Sequence, residues 1–408
     1  MICAVSVSGG MDEMESSMYH YNEAMDRLLQ NEVAEGRVKG ASALVIHRDQ
    51  EIYYNAFGFA DAERGIPMKR DTIIRLFSMT KPITAAAVMI LMERGELDLW
   101  DPVSEYLPAF RSPKVWNEEK QCEIPADREI MVWDLLNMTS GIPYPDPIHE
   151  PGMRMGEVLQ KLIGRREQGE TVDTQEYARK IAAVPLCFQP GERWMYGYSA
   201  DILGAVIEVV SGKRFGQFLK EELFEPLGMK DTGFFVPGDK LHRFAQYYDW
   251  TEQGGLQVHT GSHLGEYYME DVAFESGGAG LVSTLDDYCR FASMLVHKGE
   301  YGGRRILGRK TVEFMAQNHL SPAQRESLVW DSVKGYGYGC LMRVLMDRDI
   351  AAYNGSLGEF GWDGWTGNYV AMDFSENLVF LYFIQRCGAG ATPVVRKLKT
   401  VTYGALEP

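Results

Sequence analysis

A mixed α/β fold of the α+β kind is what the sequence predicts: a mostly antiparallel sheet flanked by helices, with a helical lobe beside it. Three observations carry this expectation. Strand patterns gather near both ends of the 408-residue chain. Apolar runs of helical character fill the region between them. The composition, 45% hydrophobic and 24% charged, supplies a large core. Residues 1–99 and 276–408 would then build one composite α/β lobe, and residues 100–275 a mainly helical one. A cleft between lobes is where a site is expected.

Met18, Tyr21, Met25, Leu28, Leu29 and Val33 give residues 12–36 the apolar stripe of an amphipathic helix. Residues 41–47 and 52–59 read as two strands joined by a polar turn at Arg48-Asp49-Gln50. Residues 73–92 form an apolar run that reads as a buried helix, stopped near Gly95. Residues 130–137, 197–210 and 215–223 read as helices of the middle region. Between them, Pro143-Tyr-Pro-Asp-Pro147 opens a polar stretch to about Glu176 that reads as a surface excursion shaping the cleft mouth. Residues 247–261 are a second polar, aromatic-bearing segment. Strand signals return at 336–344, 367–373 and 378–384, and residues 392–403 read as a final helix.

The formal net charge is -16, from 57 acidic and 41 basic residues, with no basic cluster to offset it. Such a chain repels nucleic acid and anionic membrane surfaces. Cys3, Cys122, Cys187, Cys289, Cys340 and Cys387 are scattered without a CxxC pair, so free and mostly buried thiols are expected. Residues 1–7 are apolar but lack the length and basic flank of a signal peptide, and no run reaches the length of a membrane span. A cytoplasmic location is the resulting expectation. His47, His149, His242 and His263 show no ligand spacing, and H-E-x-x-H, P-loop and dinucleotide signatures are missing. Neither metal nor cofactor is expected, and the sequence is silent on oligomeric state.

Three segments could do chemistry. In Ser78-Met-Thr-Lys81, serine and lysine share one helix face. A buried ammonium loses its proton more readily, and a neutral lysine can turn a hydroxyl into an acylating nucleophile. Ser78 near the helix start would also meet free backbone N–H groups. The second segment, Gln189-Pro-Gly-Glu-Arg-Trp-Met-Tyr-Gly-Tyr198, leads through aromatics into an apolar helix. Tyr196 or Tyr198 beside a neutral lysine could carry the serine proton to a leaving group. The third holds Gly358, Gly361, Gly364 and Gly367 around Trp362-Asp-Gly-Trp365. It reads either as a tight hairpin or as a strand edge whose N–H completes an oxyanion hole.

Together these segments resemble the serine beta-lactamase-like and penicillin-binding-protein-like family, in its class C-type branch of esterases and D-amino-acid peptidases. That family carries S-x-x-K, then Y-x-N or Y-S-x, then K-T-G, H-x-G or W-x-G. Here these are Ser78-Met-Thr-Lys81, Tyr196-Gly-Tyr198 and Trp362-Asp-Gly364. Supporting stretches at residues 131–141 and 276–288 also look like the family, and the likeness runs in order over roughly residues 20–390. The resemblance implies a beta-lactamase/transpeptidase-like fold. It makes Ser78 the acylated residue and gives its proton to Lys81 and Tyr196. It places the oxyanion between the N–H groups of Ser78 and Trp365.

The departures bear on substrate. Tyr198 replaces the amide with which penicillin-handling members hold an acylamino group. Trp362 replaces a lysine that would pair with a substrate carboxylate, and offers apolar surface and one donor instead. Asp363 could bind a substrate ammonium or cap a turn. Tyr198, Trp362, Asp363 and Gly364 are thus the candidate substrate-binding residues. The expected function is a serine hydrolase working through an acyl-enzyme, foremost a carboxylesterase on small or medium acyl esters. The alternatives are a D-amino-acid amidase, D-aminopeptidase or penicillin-binding-protein-type peptidase with weak beta-lactamase activity, and a catalytically silent binding protein. An α/β-hydrolase would show G-x-S-x-G, which the chain lacks.

Overall fold

The structure is a computed structural model that describes residues 9–261, 268–269, 271 and 273–406, with side chains from residue 20 onward. The expectations on residues 1–7, Cys3, His263 and the Met18 side chain lie outside these.

Strands from both ends of the chain form one sheet: β1 (Gly40–His47), β2 (Gln50–Asp61), β3 (Ile66–Pro67), β4 (Tyr336–Gly339), β5 (Met342–Leu345), β6 (Phe360–Asp363), β7 (Tyr369–Asp373) and β8 (Leu378–Ile384). Their order is β4-β5-β6-β7-β8-β1-β2-β3, and every neighbouring pair is antiparallel. β1 and β8 meet in the middle, with Ala41 opposite Ile384 and His47 opposite Leu378.

Period-2 alternation sends the two sets of side chains to different cores. Ala43, Val45, Phe380 and Tyr382 pack with Tyr21, Met25 and Leu29 of α1 (Gly9–Ala34) and with Leu398 of the final helix, Pro393–Gly404. Leu44, Val379, Leu381 and Phe383 join the larger core, shared with α2 (Thr80–Glu93) and the helix Leu285–Val296. Both faces of the central strands are covered, which is why residues 378–384 read as an unbroken apolar run.

Several elements depart from the sequence expectation. The apolar run at 73–92 is helical only in its second half. Ile74–Arg75 is a short strand paired with Val282–Ser283, a single 3-10 turn follows over Phe77–Met79, and α2 starts at Thr80. The pattern at 336–344 is a hairpin, because Cys340 and Leu341 both have positive φ, 47° and 62°. That turn is held from outside, Leu341 N donating to Leu136 O at 2.8 Å and Cys340 N to the Asn137 side chain at 3.2 Å. The excursion at 143–176 contains an 18-residue helix, α3 (Glu150–Glu167). Its polar composition hides it: only Pro151, Gly152, Met155 and Leu162 are buried on it. Gly152 lies so close to Asp146 that an added Cβ would sit 2.0 Å from Oδ2. Residues 247–261 form a small hairpin of Tyr248–Trp250 against Leu256–Val258. Among the described residues, no helix is long and apolar enough to cross a membrane.

Candidate active site

A break in the backbone places Ser78. Phe77 has φ +47°, a left-handed conformation that costs an L-residue about 1–2 kcal/mol. The Phe77 ring packs against Trp365 and Tyr247, at 5.2 and 6.3 Å between centroids, which holds the strained residue in place. Ser78 then stands in the 3-10 turn Phe77–Met79 that leads into α2. Tyr288 donates from its hydroxyl to Met79 O at 2.9 Å and fixes the turn from below.

Lys81 lies one turn on and is fully buried. Its Nζ donates to Ser78 Oγ at 3.0 Å, Tyr144 OH at 3.2 Å and Gly278 O at 2.8 Å. Burial pulls its pKa down to about 7, against the opposing pull of the Asp201 and Asp363 carboxylates. A neutral amine has two N–H groups and one lone pair. Gly278 O and Tyr144 OH can take the first two, which leaves the lone pair for the Ser78 hydroxyl.

Tyr196 completes the cluster. Its ring lies under Lys81 Nζ at 4.6 Å, and the Ser78 side chain lies close enough to oppose the effect of burial on its phenol. Burial raises its pKa above the usual tyrosine range, so the group is held as a phenol. Gly197 explains how Tyr144 and Tyr196 come to share Lys81. A Cβ at 197 would fall 1.9 Å from Ile142 O, so glycine lets the 142–144 and 196–198 segments touch. The Tyr144 and Tyr196 rings meet edge-on at 5.5 Å.

Trp362, expected as an apolar wall, lies behind Tyr196 instead. It is 2% exposed, and its indole Nε1 donates to the Tyr196 phenol oxygen at 2.9 Å. Asp363, expected to meet a substrate ammonium or cap a turn, accepts from Nη1 of the buried Arg343 at 2.7 Å. Gly364 turns the hairpin after β6 against the segment before the nucleophile, where a Cβ would be 2.5 Å from Leu76 O. That close approach sets Trp365 beside Phe77. Tyr198 faces the cavity and meets Tyr144 edge-on at 4.4 Å.

The cavity over Ser78 holds about 550 Å³. Phe77, Leu159, Ile163, Phe274 and Trp365 give it apolar walls, with Tyr144, Tyr177, Tyr196 and Tyr198 between them. A second cavity, about 620 Å³, is larger but contains none of the Ser78 cluster. Convergent chemistry, more than volume, marks the candidate site.

Two residues escaped sequence reasoning. Tyr144 sits in the Pro-rich start of the excursion and carries no local signal of its role. Asp201 lies in the first turn of the helix Ser199–Ser211, fully buried among apolar neighbours, and that contrast was the available signal. Its Oδ1 accepts from Ser276 Oγ at 2.5 Å and Gly278 N at 3.3 Å, which fixes the loop whose carbonyl receives the Lys81 proton.

The sheet, its flanking helices and this site define the beta-lactamase/transpeptidase-like architecture. The chain belongs to the beta-lactamase family, whose model matches residues 25–398. Protein Rv1367c of Mycobacterium tuberculosis (strain ATCC 25618 / H37Rv) is 32% identical, over 91% of this chain and 96% of its own length. Esterase EstB of Burkholderia gladioli is 30% identical, over 93% of this chain and 94% of its own. Among solved structures, EstCE1, a hydrolase with promiscuous acyltransferase activity, is similar with a TM-score of 0.79 and 26% identity, over 95% of this chain and 99% of that one.

Proposed function

We propose that this protein is a serine hydrolase that cleaves small or medium acyl esters through an acyl-enzyme on Ser78. One observation carries the reading: the buried Lys81 amine, with its pKa near 7, lies 3.0 Å from the Ser78 hydroxyl. Ser78 Oγ attacks the ester carbonyl and its proton passes to Lys81 Nζ, with Tyr196 OH beside it as the second carrier. The same pair returns the proton to the departing alkoxide, then takes one from the water that releases the acid. The developing oxyanion is received by the N–H groups of Ser78 and Trp365, as the family resemblance implies.

The cavity favours a neutral, partly apolar acyl group. Among the described residues lining it, none is a lysine or arginine that would pair with a peptide carboxylate. The Arg343 pairing of Asp363 likewise removes the group that favoured an ammonium substrate. The esterase name of the Burkholderia relative supports the same choice.

The test sets a short-chain nitrophenyl ester beside a D-alanyl anilide, with Ser78→Ala as control. Ester turnover is expected to exceed anilide turnover and to vanish in Ser78→Ala. Turnover that survives the substitution overturns the nucleophile, and preference for the anilide overturns the substrate class.

A further inference from the structure

From Asp249, His259 and Cys387 we infer a binding site for a borderline divalent cation of the zinc type, at the rim of the catalytic cleft. The three residues are far apart in sequence, so no ligand spacing could reveal them. The fold brings one ligand atom of each within 4.8 Å of the other two. A tetrahedral Zn²⁺ with bonds of about 2.0–2.3 Å needs ligand edges of about 3.3–3.7 Å, inside that envelope.

Main-chain bonds build the cluster. Tyr248 N donates to Gln385 O at 3.1 Å, and Cys387 N to Tyr248 O at 2.8 Å, so the end of β8 runs on beside the small hairpin. His259 N donates to Tyr247 O at 3.0 Å, which sets the imidazole across from Asp249. Nδ1 of His259 and Oδ1 of Asp249 are 2.8 Å apart, within hydrogen-bond distance. Nε2 points the other way, toward Gly261, where a Cβ would be 2.6 Å from it. Nδ1 is therefore the nitrogen that faces the carboxylate.

Carboxylate, imidazole and thiolate together suit zinc-type ions and disfavour magnesium or calcium, which want oxygen alone. Binding replaces the Nδ1 proton by the ion, leaves Nε2 protonated and releases the Cys387 proton to solvent. One carboxylate and one thiolate then balance the two positive charges. His259 packs on Tyr247 at 4.6 Å and meets Trp365 edge-on at 6.1 Å. A bound ion would thus staple the hairpin, the end of β8 and the aromatic rim of the cleft together.

Cobalt titration of the metal-stripped full chain reads this directly. Co²⁺ should produce a thiolate-to-cobalt charge-transfer band that Zn²⁺ abolishes on displacing it. In Cys387→Ser the band should disappear, and in Asp249→Asn the Co²⁺ affinity should fall at least about tenfold. Absence of the band in the unaltered chain, or its persistence in Cys387→Ser, overturns the site. Should Cys387→Ser fail to fold, alkylation of the unaltered chain decides instead. Zn²⁺ must slow modification of Cys387 and spare the exposed Cys122; equal modification of Cys387 with and without Zn²⁺ overturns the inference equally.

Discussion

The indole of Trp362 donates a hydrogen bond to the Tyr196 phenol oxygen at 2.9 Å, from a position 2% exposed. The tryptophan therefore orients the Tyr196 phenol, the proposed proton carrier, and has almost no surface left to offer a substrate. Trp362→Phe keeps the packing and removes the donor. It should lower kcat about fivefold, in line with the ~1 kcal/mol of a buried hydrogen bond, and leave KM almost unchanged. Steady-state kinetics on esters of several chain lengths checks this. A raised KM at constant kcat would return the indole to the cleft wall.

Lys81 should set the acid limb of the pH profile. Burial disfavours its ammonium and brings the pKa to about 7, so the neutral base grows as pH climbs through that value. kcat/KM should rise accordingly and level off above it. The apparent pKa belongs to the coupled Lys81–Tyr196 pair. A profile already flat well below neutrality would show that another group takes the serine proton.

Asp201 should move that limb. Its negative charge favours the Lys81 ammonium and so raises the lysine pKa. Asp201→Asn removes the charge but keeps an oxygen to accept from Ser276 and Gly278. The limb should shift toward acid by a fraction of a unit. A shift toward alkali would contradict the electrostatic sign.

Gly197 should tolerate no side chain. Gly197→Ala sets a methyl 1.9 Å from Ile142 O, and the strands of chain bearing Tyr144 and Tyr196 must separate. Urea unfolding should register a loss of about 1–3 kcal/mol, typical of overpacking. Activity should fall further than stability, because Lys81 loses partners on both sides.

Chain-length selectivity should follow Ile163, which lines the cavity from α3. Ile163→Trp fills space, so long acyl esters should suffer in kcat/KM while acetate esters change little. Equal losses across the series would place the acyl group elsewhere.

Much of this was legible in the sequence. Ser78 and Lys81 share a helix face by spacing alone, and the β8 strand announces itself as an apolar run. What stayed hidden depends on contacts between distant segments. Tyr144 acquires its role only because Gly197 admits close approach, and no pattern within residues 143–147 encodes that. Trp362 reads as apolar surface offered to a substrate, because nothing near it in sequence shows that its indole will donate to the distant Tyr196. The helix α3 was lost among charged residues because so little of it is buried. Cys340 and Leu341 adopt left-handed turns that their own preferences resist, so one strand pattern concealed a hairpin.

The pairing of β1 with β8 has a consequence for biogenesis. Ala41 leaves the ribosome long before Ile384, its partner across the sheet, has been made. Until then β1 can pair with β2 but shows an open, apolar edge to other nascent chains. Ser78 and the helix that carries Lys81 are made by then, yet β6 to β8, which seat Trp362 and the Trp365 hairpin, are still missing. A chain that stops before β6 should therefore lack the proposed activity, and such a truncation should invite aggregation as well.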